Sequence, residues 1–140
     1  MRVTMLLCDY AQAADGKLNI IGGGWSLTGP RPTPFGIAVL FQVPWDQANA
    51  RHSFRLELLD ADGQPVSFPG PDDRPQAVAV EGSFETGRPA GLRPGAPLDF
   101  PFAMNYGPLP LAPGQRFEWR LTVDGHSEDD WRLAFGTRAP

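Results

Sequence analysis

A strict alternation of apolar and polar side chains constrains this chain most, and it is most regular over residues 117–123. Phe117, Trp119 and Leu121 alternate there with Glu118 and Arg120. A period of two is typical of a β-strand, because successive side chains point to opposite faces. Similar segments recur between Pro- and Gly-rich turns. The pattern predicts an all-β antiparallel β-sandwich of about eight or nine strands, immunoglobulin-like or similar in topology, with a flattened barrel as the alternative.

The length and apolar content of the chain are sufficient for one unassisted core. It has 140 residues, of which 41% are hydrophobic, and a domain of that size buries roughly 70% of its unfolded surface. We therefore predict a single β-sandwich domain over residues 1–140. The residues expected in its core, from their phase within each strand, are Phe41, Leu56, Val80, Phe102, Trp119, Leu121 and Phe135.

Two local signals predict details of the sheets. Asp15-Gly16 is a two-residue hairpin signal, since Gly accepts the positive φ that such turns need. Pro101 lies within an alternating segment and cannot donate to a strand ladder. Its strand is therefore expected at a sheet edge or at a bulge.

The charge balance argues against nucleic acid and membrane partners. Twelve basic and 16 acidic residues give a net charge of −4, without the basic footprint that either surface requires. No apolar stretch approaches the ~18 residues of a membrane span. The apolar run Met5-Leu6-Leu7 ends at Asp9 and is too short for a signal peptide. We expect a cytoplasmic protein.

Few residues are suited to catalysis. The chain has one cysteine, Cys8, and two histidines, His52 and His126. The segment around Ser26 lacks the second glycine of the Gly-x-Ser-x-Gly nucleophile motif, because Thr28 stands there. We predict that the protein is not an enzyme. A hydrolase that uses Cys8 or Ser26 with His52 is a weaker alternative.

Metal sites have little support in the sequence. One cysteine and two scattered histidines cannot supply four zinc ligands. Asp60-Ala61-Asp62-Gly63 begins like a calcium loop but lacks the distal Glu, and a hairpin turn explains it more simply. We predict no cofactor and no metal, with calcium at the acidic loops around Asp62 and Asp129 as the open alternative.

The tryptophans fall into two groups. Trp119 and Trp131 are in phase with core residues, whereas Trp25 and Trp45 lie beside irregular segments. Sugars stack on exposed indole rings, so Trp25 and Trp45 are the candidate ligand-binding residues.

Uncharged outward positions suggest a covered surface. The outward side of the segment 35–43 carries no charge, unlike that of the segment 117–123. Such a face is covered either by the chain's own Pro-rich loops or by another subunit. The candidate interface residues are Ala38, Leu40, Gln42, Ala77, Ala79 and Ala103.

These observations favour a non-enzymatic binding or assembly module that acts through protein–protein contacts. Its partner would be another protein or a second copy of the chain, in a homodimer. The alternative is a β-sandwich that binds a small ligand or a carbohydrate through Trp25 or Trp45.

Several segments resemble a family of small uncharacterised bacterial proteins. They are Ala14-Asp15-Gly16-Lys17-Leu18, Gly22-Gly23-Gly24-Trp25, Val43-Pro44-Trp45-Asp46-Gln47-Ala48-Asn49 with His52, and Leu58-Leu59-Asp60-Ala61-Asp62-Gly63-Gln64-Pro65-Val66. The resemblance spans most of the chain. It implies an all-β fold and no assigned activity.

Overall fold

The computed structural model describes residues 1–140, with 54% of them in strands and no α-helix. The elements are β1 (Arg2–Cys8), β2 (Tyr10–Ala14), β3 (Lys17–Ile21), β4 (Leu27–Thr28), β5 (Phe35–Val43), a 3₁₀ turn (Trp45–Gln47), β6 (Arg51–Asp60), β7 (Ser67–Pro69), β8 (Pro75–Ala77), β9 (Ala79–Glu85), β10 (Leu98–Tyr106), β11 (Arg116–Val123) and β12 (Arg132–Thr137).

The strands form separate sheets, in agreement with the predicted all-β, sandwich-like fold class. One sheet has the order β1-β5-β10 and another β4-β12-β11-β6-β9, and β2-β3 and β7-β8 form two-stranded sheets. No sheet closes on itself, so the flattened-barrel alternative is wrong. The predicted eight or nine strands are too few. The short strands β4, β7 and β8, of two or three residues, are too brief to show an alternation.

The chain divides into two compact units. The first comprises Met1–Trp25, Thr33–His52 and Ser83–Leu109, and the second comprises Ser26–Pro32, Ser53–Gly82 and Pro110–Pro140. A single domain over residues 1–140 stays a prediction.

In the first unit, β5 is the central strand and is covered on both faces near its start. It pairs antiparallel with β1 on one side and with β10 on the other. Residues 35–39 are all buried, although side chains of opposite faces alternate along the strand. Burial of both faces explains why this stretch carries no charge.

In the second unit, β11 follows the predicted alternation closely. Phe117, Trp119 and Leu121 are buried, whereas Glu118 and Arg120 are half-buried and form an ion pair at 2.8 Å. Strand β11 pairs antiparallel with β6 and β12. Its outward face is polar, as the sequence predicts.

The predicted core is confirmed in part. Phe41, Leu56, Trp119, Leu121 and Phe135 are buried, as are Trp131 and others in phase with them. Val80 and Phe102 are only half-buried, and both lie on edge strands, β9 and β10. An edge strand has a neighbour on one side alone.

Both local signals are confirmed. Asp15 and Gly16 have φ values of 53° and 71°, and they connect β2 to β3 with Ala14 opposite Lys17. Two positive φ angles in sequence are those of a type I′ hairpin turn. Pro101 lies on β10, an edge strand.

None of the structure's helical segments is long and apolar enough to cross a membrane.

Candidate functional site

The β2–β3 hairpin covers the outward face of β5. Cys8, Ala11 and Ala38 form a buried cluster, and Leu18 and Ala103 pack against it. Ala38 is 2% exposed and thus has almost no surface to offer a second chain. Its cover is this hairpin rather than the Pro-rich loops considered from the sequence.

The β2–β3 hairpin lies very close to β5 at Gly36. A Cβ atom at Gly36 would lie 2.6 Å from Asn105 Oδ1, 3.1 Å from Cys8 Sγ and 3.2 Å from the Ala11 nitrogen. The absence of a side chain at Gly36 thus makes room for the pair that Asn105 and Ala11 form.

The other candidate interface residues do not form one surface. Leu40 and Gln42 are half-buried on β5, and Gln42 Nε2 donates to Asp99 Oδ1 at 3.2 Å. Ala103 lies opposite Ala38. The remaining two, Ala77 on β8 and Ala79 on β9, belong to other sheets.

The two edges of the three-stranded sheet differ. Pro101 lies opposite Leu40 on β10. Along an antiparallel pair of strands, hydrogen-bonded residue pairs alternate with pairs that share no hydrogen bond. Pro101 has no N–H to donate, so it loses no hydrogen bond to β5 only if it stands in a pair of the second kind. Its nitrogen therefore faces outward, where it offers no donor to another strand. Proline at this position blocks the β10 edge.

The β1 edge carries no such block. The Leu7 carbonyl accepts from the Gly24 N–H at 2.7 Å, so the backbone of Leu7 faces away from its partner Ile37 on β5. By the two-residue alternation, the backbone groups of Val3 and Met5 face outward as well. Gly24 covers the end of β1, and no other strand pairs with the stretch from Val3 to Met5 on this side, which we call the open edge.

Exposed apolar side chains lie on β1 and on the β2–β3 hairpin that follows it. Leu6 is 38% exposed, Ile20 37%, Ile21 64% and Tyr10 50%. A Cβ at Gly23 would meet Ile20 Cγ2 at 2.9 Å and Leu6 Cδ1 at 3.7 Å, so Leu6 and Ile20 flank the same point. Tyr10 and Ile21 are opposite each other in the hairpin. We call Leu6, Tyr10, Ile20 and Ile21 the β1 patch.

Trp25 belongs to an aromatic cluster. It is half-buried, and its ring meets Phe35 edge-on at 6.0 Å. Phe35 in turn stacks on Tyr106 at 5.4 Å. These contacts use the indole for packing.

Trp45 has one ring face occupied by a cation. The guanidinium carbon of Arg88 lies 4.6 Å from the indole centroid, and Arg88 Nη2 donates to the Trp45 carbonyl at 2.8 Å. A sugar would have to displace this arginine in order to stack there.

The groups considered for hydrolysis are placed for packing. Cys8 is fully buried, and burial, reinforced by the charge of Asp9, raises the pKa of its thiol. His52 Nε2 lies 3.2 Å from the carbonyl oxygen of Gln47, and this nitrogen donates in that hydrogen bond, because a carbonyl oxygen only accepts. Its ring packs on Phe84 at 5.5 Å. A raised pKa disfavours the thiolate that a cysteine nucleophile needs.

The acidic loops are organised as turns. Asp60 Oδ1 accepts from the backbone N–H groups of Asp62 and Gln64, each at 2.9 Å. Asp129 lies 3.8 Å from Arg132 and is exposed. No three His, Cys, Asp or Glu side chains gather as a metal site. Calcium binding at these loops stays the open alternative.

Two features of the structure are not predicted from the sequence. The first is the β1 patch, whose signal was the pairing of Leu6 with Leu7 and of Ile20 with Ile21, so that both faces of these strands carry apolar residues. The second is a pocket lined by residues 85–89, Leu92 and residues 97–100. Most of these residues lie in the turn-rich segment between β9 and β10, which shows no periodicity.

The comparisons with known proteins give a family without a function. Neither a curated protein nor a solved structure matches the chain significantly. A family model matches residues 3–135, nearly the whole chain, and the predicted relation to an uncharacterised family is thereby confirmed. The chain belongs to the family of unknown function DUF6941.

Proposed function

We propose that this chain is a non-enzymatic assembly module of the bacterial cytoplasm that pairs with a second copy of itself through the open edge of β1. The observation that carries the proposal is the difference between the two edges of the three-stranded sheet. Pro101 blocks the β10 edge, and nothing of the kind blocks β1 between Val3 and Met5. An open edge is a template for another strand.

The open stretch is complementary to itself. In an antiparallel pair with its two-fold axis at Thr4, Val3 stands opposite the partner's Met5, and the reverse. These are the residues whose backbone groups face outward, so each such pair exchanges both of its hydrogen bonds. Thr4 then stands opposite the partner's Thr4, a favourable cross-strand pair.

The β1 patch adds apolar area to the edge. Leu6 would stand opposite the partner's Arg2, whose aliphatic stem can cover it while its charge stays in water. Ile20 lies next to Leu6 and enlarges the surface that such a pair removes from water. Backbone bonds thereby set the register, and apolar burial supplies much of the affinity.

Light scattering of the purified protein, over a concentration series in the micromolar range, tests the proposal. The wild-type chain should have the mass of a dimer. Thr4→Lys should give a folded monomer, because two ammonium groups would stand opposite each other across the axis. Ser67→Lys places the same charge on β7, an exposed position in the second unit, and should leave the dimer intact. A wild-type monomer, or a Thr4→Lys dimer, would contradict the proposal.

A further inference from the structure

The first unit contains a pocket of the size of a small-molecule site. It has a volume of about 550 Å³ and lies between the loop Glu85–Pro89 and the start of β10. Ligand pockets in proteins have volumes of roughly 300–1,000 Å³ and combine apolar walls with a few polar groups. We call it the Arg88 pocket.

Arg88 lines the pocket and carries a fixed positive charge. Its guanidinium is held over the indole of Trp45 and bonded to the Trp45 carbonyl, so the side chain is ordered before any ligand arrives. Only one of its N–H groups is used in this bond. No carboxylate lies within ion-pair distance of Arg88. A planar guanidinium with free N–H groups binds a carboxylate through two parallel hydrogen bonds.

The other walls are mostly apolar. Phe100 is held by stacking on Phe84 at a centroid distance of 4.6 Å and an angle of 9°. The remaining apolar lining residues are Pro89, Leu92, Pro97 and Leu98. A ligand with a hydrocarbon or aromatic body would remove this surface from water.

A buried hydroxyl in the lining lacks a partner. Thr86 is 8% exposed, and its Oγ1 makes no hydrogen bond. Buried polar groups in proteins are nearly always paired, because an unpaired one costs free energy. A polar atom of a ligand, reached by rotation of the Thr86 side chain, would satisfy this hydroxyl.

Two acidic side chains limit the charge of the ligand. Glu85 and Asp99 also line the pocket, and Asp99 is bonded to Gln42. They repel a multiply charged anion such as phosphate, whereas a single carboxylate held by Arg88 is tolerated. We propose that the Arg88 pocket binds a small molecule with one carboxylate and an apolar body.

Calorimetric titration with hydrocinnamate, its corresponding alcohol, its corresponding amine and inorganic phosphate tests this proposal. Hydrocinnamate should bind best of the four. Arg88→Gln should weaken its binding by about ten-fold or more, as expected for the loss of a charge-assisted pair. Arg93→Gln removes an exposed arginine of the same segment that does not line the pocket, and binding should be unchanged.

A second variant covers the case in which Arg88→Gln disturbs the loop around Trp45. Leu92→Glu keeps Arg88 but places a negative charge in the apolar wall, and it should also abolish hydrocinnamate binding. Equal or tighter binding of the alcohol, the amine or phosphate would overturn the proposal. So would the absence of hydrocinnamate binding to the wild-type protein, or its full retention in Arg88→Gln.

Discussion

The side-chain amide of Asn105 bonds both backbone groups of Ala11, a residue 94 positions away in the sequence. Oδ1 accepts from the Ala11 N–H at 3.0 Å, and Nδ2 donates to the Ala11 carbonyl at 2.8 Å. The amide thereby makes the two backbone hydrogen bonds that a neighbouring strand would make with Ala11. It fixes the β2–β3 hairpin over Cys8 and Ala38, and this explains why the uncharged face of β5 is covered within one chain.

Asn105→Leu should loosen the hairpin. Loss of the amide leaves both Ala11 backbone groups without their partner, which should lower the free energy of unfolding by about 2 kcal/mol. Denaturant unfolding measures this change, and faster reaction of Cys8 with a thiol reagent reports the opening of the hairpin. Asn19→Leu, at an exposed position of β3, is the matched control. Equal stabilities of the two variants would contradict the conclusion that Asn105 fixes the β2–β3 hairpin.

Gly36→Ala should destabilise the same region. The new methyl group would overlap Asn105 Oδ1 and press on Cys8 and Ala11, and overpacking of this kind costs about 1–3 kcal/mol. Gly107→Ala is the control, since a Cβ there meets nothing within 4 Å. The double variant Gly36→Ala/Asn105→Ala lacks the amide that the new methyl group would overlap. Its loss in the free energy of unfolding should therefore be smaller than the sum of the losses in the two single variants. Strict additivity would show that the clash lies elsewhere.

The Cys8 thiol should make stability depend on pH in alkaline solution. Burial, and next the charge of Asp9, raises its pKa from the ordinary value of 9.0. Below pH 9.0 the thiol is protonated in both the folded and the unfolded chain, so its contribution to the free energy of unfolding is fully present. Above it the unfolded chain releases the proton first, and the free energy of unfolding should fall.

Cys8→Ala lacks this thiol and isolates its contribution. Burial also raises the pKa of Tyr106, but this tyrosine is present in both proteins and acts at higher pH. The decline of unfolding free energy just above pH 9.0 should therefore be shallower in Cys8→Ala than in the wild type. Parallel pH profiles would show that the thiol titrates normally.

Trp119 and Phe102 should differ in their contributions to stability. Trp119 is fully buried on β11, so Trp119→Ala should cost about 3–5 kcal/mol. Phe102 is half-buried on an edge strand, and Phe102→Ala should cost about 2 kcal/mol, since the cost follows the buried area. Chemical denaturation of both variants measures the two losses. A larger loss for Phe102→Ala would mean that the edge strand carries more of the core than its exposure indicates.

Alternation and turn chemistry predicted what depends on neighbours in sequence. The strand β11, the Asp15-Gly16 turn and the edge position of Pro101 follow from period, φ preference and a missing donor. The cover of Ala38 did not follow, because the contact between Asn105 and Ala11 joins residues far apart in the chain. Hydropathy shows that a face is covered, but not which segment covers it.

The candidate sites were harder to predict for the same reason. Trp25 and Trp45 are candidates because they lie outside the alternating segments, yet each already has an aromatic or cationic neighbour in the fold. The open edge of β1 depends on which residues of the strand face away from β5. The hydrogen bond between Leu7 and Gly24 shows which residues these are, and the sequence does not predict this bond.

Sedimentation equilibrium of Thr4→Lys and Thr4→Glu, each alone and then mixed in equal amounts, tests the proposed pairing of β1 most directly. Alone, each variant should be a monomer, because like charges meet across the axis at Thr4. Mixed, the two should form a dimer, since an ammonium group then stands opposite a carboxylate. Variants that dimerise alone, or a mixture that stays monomeric although the wild type is a dimer, would contradict a β1–β1 pair with its axis at Thr4.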